Sequence, residues 1–110
     1  MKYLVIMEAV EGGPAVPPQT IVKQVEGQVF PSFEILKSLE EEGKIMGGAC
    51  VGERRIAFIA KAADNTEVDN LIKSLPLWGM ATTEVTALNG FAERHEADSR
   101  FIAQLKKMES

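Results

Sequence analysis

The chain has one cysteine, one histidine, one tyrosine and one tryptophan in 110 residues. Each scarcity removes a class of chemistry. A lone Cys50 cannot close an intrachain disulfide, so the fold needs no oxidising compartment and suits a reducing cytoplasm. A lone His95 argues against a histidine-based metal site and against a triad. Basic residues are also short: 12 Lys and Arg against 16 Asp and Glu leave a net charge of -4. Such a surface repels phosphate backbones, which excludes nucleic acid as the expected partner. No basic amphipathic stretch points to a membrane surface. The apolar run at the N-terminus, Tyr3 to Met7, is ended by Glu8. It is too short for a signal-peptide core or a bilayer span, and it reads as a strand. Gly12-Gly13 is followed by no Gly-Lys-Ser/Thr, so it reads as a mobile connection and not as a phosphate loop. No metal, nucleotide or flavin motif occurs, and no cofactor is expected.

What is present is ordinary for a folded domain: 45% hydrophobic and 25% charged residues. A chain of this length buries roughly two-thirds of its unfolded surface, enough for one domain over residues 1–110 without a disulfide or metal. Residues 2 to 9 read as a strand. Residues 10 to 18, with two glycines and three prolines, read as a loop. A helix is expected from Gln19-Thr20, with Thr20 as N-cap and an apolar stripe of Val22, Val25, Val29, Phe33 and Leu36. Pro31 clashes with the carbonyl four residues earlier, which belongs to the adaptable Gly27. The pattern therefore predicts one helix kinked on its solvent side; the alternative is a break at Phe30-Pro31. The helix ends at Glu40-Glu41-Glu42-Gly43, with Gly43 as the cap. Three acids there oppose the helix dipole, as a solvated end or as a contact for a basic partner subunit.

Residues 44 to 51 and 54 to 61 read as strands joined at Gly52-Glu53, and Gly47-Gly48 suggests a bulge or a close backbone approach. Asp64 to Glu67 has the form of a capping box. Val68, Leu71, Ile72 and Leu75 follow at amphipathic helical spacing, and Leu75-Pro76-Leu77-Trp78-Gly79 ends that helix. Residues 82 to 91 read as a fourth strand. A last helix is expected from about 97 to 108, with Phe101, Ile102, Leu105 and Met108 on one face. The order βαββαβ plus a helix is the ferredoxin-like α+β pattern: four antiparallel strands with two helices on one face. Tyr3, Val5, Met7, Ile45, Phe58, Val85 and Leu88 are expected to make both sheet faces apolar. The open face then needs a cover, most simply the sheet of a second chain. The terminal helix would close one end of the domain or dock on a neighbour.

Ser74-Leu75-Pro76-Leu77-Trp78, leading into Thr83-Glu84-Val85-Thr86-Ala87-Leu88, and the tail His95-Glu96-Ala97-Asp98-Ser99-Arg100 resemble the muconolactone isomerase family. So do the Glu42-Gly43 helix end, the hairpin after it and the length. The resemblance implies a dimeric α+β barrel, often assembled into larger rings. It also implies a cofactor-independent isomerisation that moves a proton within an unsaturated lactone or related small organic acid during aromatic-compound catabolism. The family carries basic and aromatic residues on its second strand, where this chain has Lys44-Ile45-Met46-Gly47-Gly48-Ala49-Cys50.

Such chemistry needs an acid or base beside a group that stabilises an enolate. Glu26, near the middle of the first helix, is the candidate base; otherwise it is a solvated helix residue. His95 is a second acid–base candidate, or a surface residue after the last strand. Arg54 and Arg55 open the third strand, and one of them should point inward to bind a carboxylate, or both serve the hairpin's solubility. Tyr3, Phe30, Phe33 and Trp78 are candidate pocket walls or core. Cys50 reads as a small buried hydrophobe. Two other readings stay open: a cofactor-free monooxygenase on the same barrel, and a non-catalytic ligand-binding or assembly module.

Overall fold

The computed structural model describes residues 1 to 9 and 17 to 109. The loop expected at residues 10 to 18 lies outside the described residues except at its last two positions. Four strands form one antiparallel sheet in the order β2-β3-β1-β4, where β1 is Lys2–Ala9, β2 Ile45–Ala49, β3 Arg55–Lys61 and β4 Ala81–Leu88. Side-chain alternation divides the sheet. Tyr3, Val5 and Met7 lie across from Ala60, Phe58 and Ile56 and are buried under the helices. Each large member of that set contributes roughly 1.5–3 kcal/mol on burial.

The residues that cover the other face are not those expected. Ile45 pairs with Ala60 and Val85 with Val5, so both share the helix side; of the expected set only Leu88, opposite Lys2, faces outward. The outer face is nonetheless apolar, through Leu4, Ile6, Ile59 and the exposed Met46. Lys2, Lys61, Arg55, Glu8 and Glu84 stand around this patch.

Residues 18 to 41 are helical without a break: α1 (Pro18–Gln24), a π-turn (Val25–Val29) and α2 (Phe30–Glu41). The helix starts one turn earlier than Thr20. Pro18 occupies its first position, where a missing N–H costs nothing, and the Pro17 carbonyl accepts the Thr20 and Ile21 amides at 2.9 and 3.2 Å. The π-turn is where the chain accommodates Pro31: the Phe30 N–H reaches back five residues to the Val25 carbonyl. At the other end Gly43 has φ +76°, and the Gly43 and Lys44 amides bond the Glu40 and Leu39 carbonyls at 3.0 and 2.9 Å. That two-bond cap stops the helix.

The β2–β3 ladder keeps one register from Ile45–Ala60 to Ala49–Ile56, so Gly47-Gly48 forms no bulge. The turn between the strands is wider than the expected two residues. It runs from Cys50 to Arg54, closed by the Cys50 amide on the Arg55 carbonyl at 2.8 Å, with Gly52 at φ +74°. Asp64 caps α3 (Asn65–Lys73) through the Glu67 amide at 2.9 Å, and the Glu67 carboxylate returns a bond to the Ala63 amide at 3.1 Å. Leu75 then leads into a 3-10 turn, Pro76–Met80. Ser32, buried in α2, fastens that turn: its Oγ donates to the Gln28 carbonyl at 2.6 Å and accepts the Leu77 N–H at 2.9 Å.

The last helix, α4 (Phe91–Glu109), starts six residues earlier than its apolar stripe suggests. Its first turns are polar, so hydrophobic periodicity is silent there. The ion pairs Arg94–Asp98 and Arg100–Glu96, four residues apart, support it by about 0.2–0.5 kcal/mol each. None of its residues is buried, and it has no substantial packing against another element. The chain measures 70 × 34 × 25 Å, with a radius of gyration of 18.9 Å. A compact chain of this length would have about 13 Å. Among the described residues no helix is long and apolar enough to cross a membrane.

A candidate ligand cavity between the long helix and the sheet edge

In α2, positions 33, 36, 37 and 40 recur at i, i+3, i+4 and i+7 and so share one face. That face lies over the β2 edge of the sheet. Between them is a cavity of about 250 Å³, lined by Phe33, Leu36, Lys37 and Glu40 from α2 and by Ile45, Gly47, Gly48, Ala49, Ile56 and Phe58 from β2 and β3. The room comes from what β2 lacks. Three successive residues, Gly47, Gly48 and Ala49, present almost no side chain. Gly47 is compulsory: a Cβ there would stand 2.5 Å from the Phe58 Cα and 2.7 Å from its Cβ, closer than atoms pack. Phe58, Ile45 and Ile56 are buried and make an apolar floor. Among the described residues, Lys37 and Glu40 are the only charged groups of the lining. The site can therefore take a small, mostly apolar molecule with one anionic end. Lys37 is a cation able to pair with a carboxylate and Glu40 a carboxylate able to exchange a proton, and both are exposed at the rim.

Of the residues singled out from the sequence, Phe33 lines this cavity and the others do not. Glu26 is exposed on the π-turn. His95 is exposed on α4, where its carbonyl accepts the Ser99 hydroxyl at 2.8 Å. Arg54 lies exposed in the β2–β3 turn. Arg55 has the parity of Ala57 and Ile59 and so points to the outer sheet face, opposite the cavity. There it pairs with Glu8 at 3.1 Å, and that hydrogen bond raises its pKa above the ordinary guanidinium value. Its Nε is buried and has no partner among the described residues. Tyr3 is a core residue whose hydroxyl donates to Asn65 Oδ1 at 2.8 Å. Trp78 is half-exposed on the 3-10 turn, with the Lys73 ammonium 5.9 Å from its ring centre. Phe30 is exposed.

Lys37 and Glu40 carry a sequence signal of their own. They continue the stripe from Phe33 and Leu36 by one helical step, and their charge disguised them as a solvated face.

The sheet order, the helices on one face and the cavity at the sheet edge define a ferredoxin-like α+β protein. The muconolactone delta-isomerase family model matches residues 1–95, and the chain belongs to that family. The fold is shared with solved structures at low identity. A muconolactone isomerase crystal structure superposes with a TM-score of 0.66 at 16% identity, covering 82% of this chain and 90% of that one. The 5-chloro-2-hydroxyhydroquinone dehydrochlorinase of Burkholderia phenoliruptrix AC1100, in complex with 2,5-dihydroxybenzoquinone, superposes with a TM-score of 0.59 at 18% identity. It covers 84% of this chain and 98% of the other. No curated protein matches the chain.

Proposed function

We propose that the chain is a one-domain, cofactor-independent isomerase of aromatic-compound catabolism, active in the cytoplasm as a homodimer or larger homo-oligomer. Its substrate is an unsaturated lactone or a related small organic acid. The observation that carries this reading is the apolar α2–β2 cavity with one cation and one carboxylate in its lining. Family membership supports it. The ring compound bound by the dehydrochlorinase relative shows the kind of molecule a protein of this fold holds.

In the reaction, Lys37 binds the substrate carboxylate and offsets charge as a proton leaves the carbon next to the carbonyl. Glu40 takes that proton and returns it at the far end of the conjugated system. The double bond moves, and nothing is oxidised or reduced. Glu26, His95, Arg54 and Arg55 take no step within this cavity. A Glu26→Gln variant discriminates the two placements of the base.

The test is the full chain incubated with muconolactone and related unsaturated lactones at high enzyme concentration, followed by ultraviolet absorbance. Turnover that falls on Glu40→Gln and survives Glu26→Gln is expected. Unchanged lactones together with no binding of small aromatic acids would sink the proposal.

A further inference from the structure

The α2–β2 cavity has two unlike ends, and the path of the chain fixes which residues stand at each. β2 follows α2 after the Gly43 turn and runs back beneath it, with the Lys44 amide bonded to the Leu39 carbonyl at 2.9 Å. From Glu40 back to Phe33 the helix covers about 10 Å at 1.5 Å per residue. From Ile45 to Ala49 the strand covers about 13 Å at 3.3 Å per residue. Glu40 therefore stands level with Ile45, Leu36 and Lys37 with Gly47, and Phe33 with Ala49. Helix side chains lean toward the N-terminus, which carries Phe33 the rest of the way to Ala49.

The near end, at Glu40 and Ile45, is shut by the Gly43 turn. The far end opens toward the β2–β3 turn and has no polar side chain. Ala49 shares the helix side with Ile45 and Gly47, so its methyl group faces α2. Its ladder partner, the buried Ile56, makes the floor there. Phe33 makes the roof, and it is 40% exposed. Phe33 and Ala49 thus face each other across an apolar gap that no side chain of the lining fills.

We propose that this far end is a subsite for a short alkyl group on the substrate ring. The preferred ligand is a flat ring acid with the alkyl group on the carbon farthest from its carboxylate, and Phe33 and Ala49 select that group by size. The proposal rests on the reading that Lys37 binds the carboxylate, and it does not depend on the proton transfer. Lys37 and Phe33 are one turn apart, about 6 Å along the helix. A carboxylate at Lys37 with a six-membered ring behind it brings the ring's far carbon to the level of Phe33 and Ala49. The volume agrees: 250 Å³ is the share of about eight water molecules in the liquid, which suits one ring, its carboxylate and a short substituent. An unsubstituted ring leaves the far end to water, which finds no side-chain hydrogen bond there. An alkyl group that displaces such water gains affinity.

The full chain is titrated calorimetrically with benzoate, 4-methylbenzoate and 4-propylbenzoate. The 4-methyl compound should bind about fourfold more tightly than benzoate, the effect of burying one methyl group. Ala49→Leu fills the gap from an exposed strand position. It should erase the 4-methyl advantage and leave benzoate affinity within about twofold. Phe33→Ala opens the roof and should move the preference to the 4-propyl compound; Phe33→Leu checks this with a smaller loss of packing. Benzoate and 4-methylbenzoate binding equally, or a 4-methyl advantage that survives Ala49→Leu, overturns the subsite. So does a Phe33→Ala variant that self-associates more weakly and keeps the wild-type order of ligands, because Phe33 then covers a subunit contact. Equal affinities that Lys37→Ala lowers together overturn the subsite and leave the Lys37 reading standing. Failure of all three acids to bind overturns both.

Discussion

The hydroxyl of Ser32 holds the Leu77 amide at 2.9 Å, tying the long helix to the 3-10 turn across 45 residues of chain. Both partners are buried. Ser32→Ala leaves the Leu77 N–H with no acceptor and should cost about 1–3 kcal/mol. A thermal melt should fall by several degrees, and exchange of the Leu77 amide should accelerate more than that of the sheet amides. A melt within a degree of wild type would show that water or a local shift replaces the bond.

Gly47 and Gly48 separate two roles that look alike in sequence. An alanine at Gly47 forces a methyl group into the Phe58 backbone, and overpacking of this kind costs about 1–3 kcal/mol. An alanine at Gly48 meets nothing within 4 Å and should stay within about 0.5 kcal/mol of wild type. Urea unfolding of the pair checks this. Equal midpoints would contradict the close approach.

Lys37→Ala removes the cation of the cavity lining. Binding of a small aromatic carboxylate should weaken about tenfold, the equivalent of one charge-assisted hydrogen bond of about 1.5 kcal/mol. The melting temperature should not move, because Lys37 is exposed. Calorimetric titration measures the first and a melt the second. Affinity equal to wild type would place the ligand elsewhere.

Tyr3→Phe deletes the hydrogen bond to Asn65 and leaves the ring in the core. It should cost about 1 kcal/mol of stability and leave ligand affinity unchanged. Lost affinity with stability intact would return Tyr3 to the binding site.

Much of the architecture was legible because local rules and tertiary packing agree. The capping box at Asp64 and Glu67, the Gly43 stop and the buried alternation of β1 all follow from residue chemistry alone. The π-turn did not. Val22, Val25, Val29, Phe33 and Leu36 read as one stripe only at a constant 100° per residue, and the π-turn breaks that phase between Val25 and Val29. Ile21 and Val22, ahead of the π-turn, are exposed. The sequence leaves Arg55 a choice of faces, and only the β1–β3 register, with Glu8 opposite, decides it. The cavity was harder to see because absent side chains made it. A run of glycines in a strand reads as weakness until the helix above it is in place.

The bare strand under the cavity also bears on how such a site could change. One wall is backbone, and at Gly47 no side chain can be added without moving the neighbouring strand. A ligand on that side meets backbone at Gly47 and the buried side chains of Ile45, Ile56 and Phe58, where a change of size also disturbs the core. The variable wall is α2, at positions 33, 36, 37 and 40. Sequence drift or deliberate selection that changes what this protein accepts without disturbing the core works mainly on that four-residue face and on Gly48.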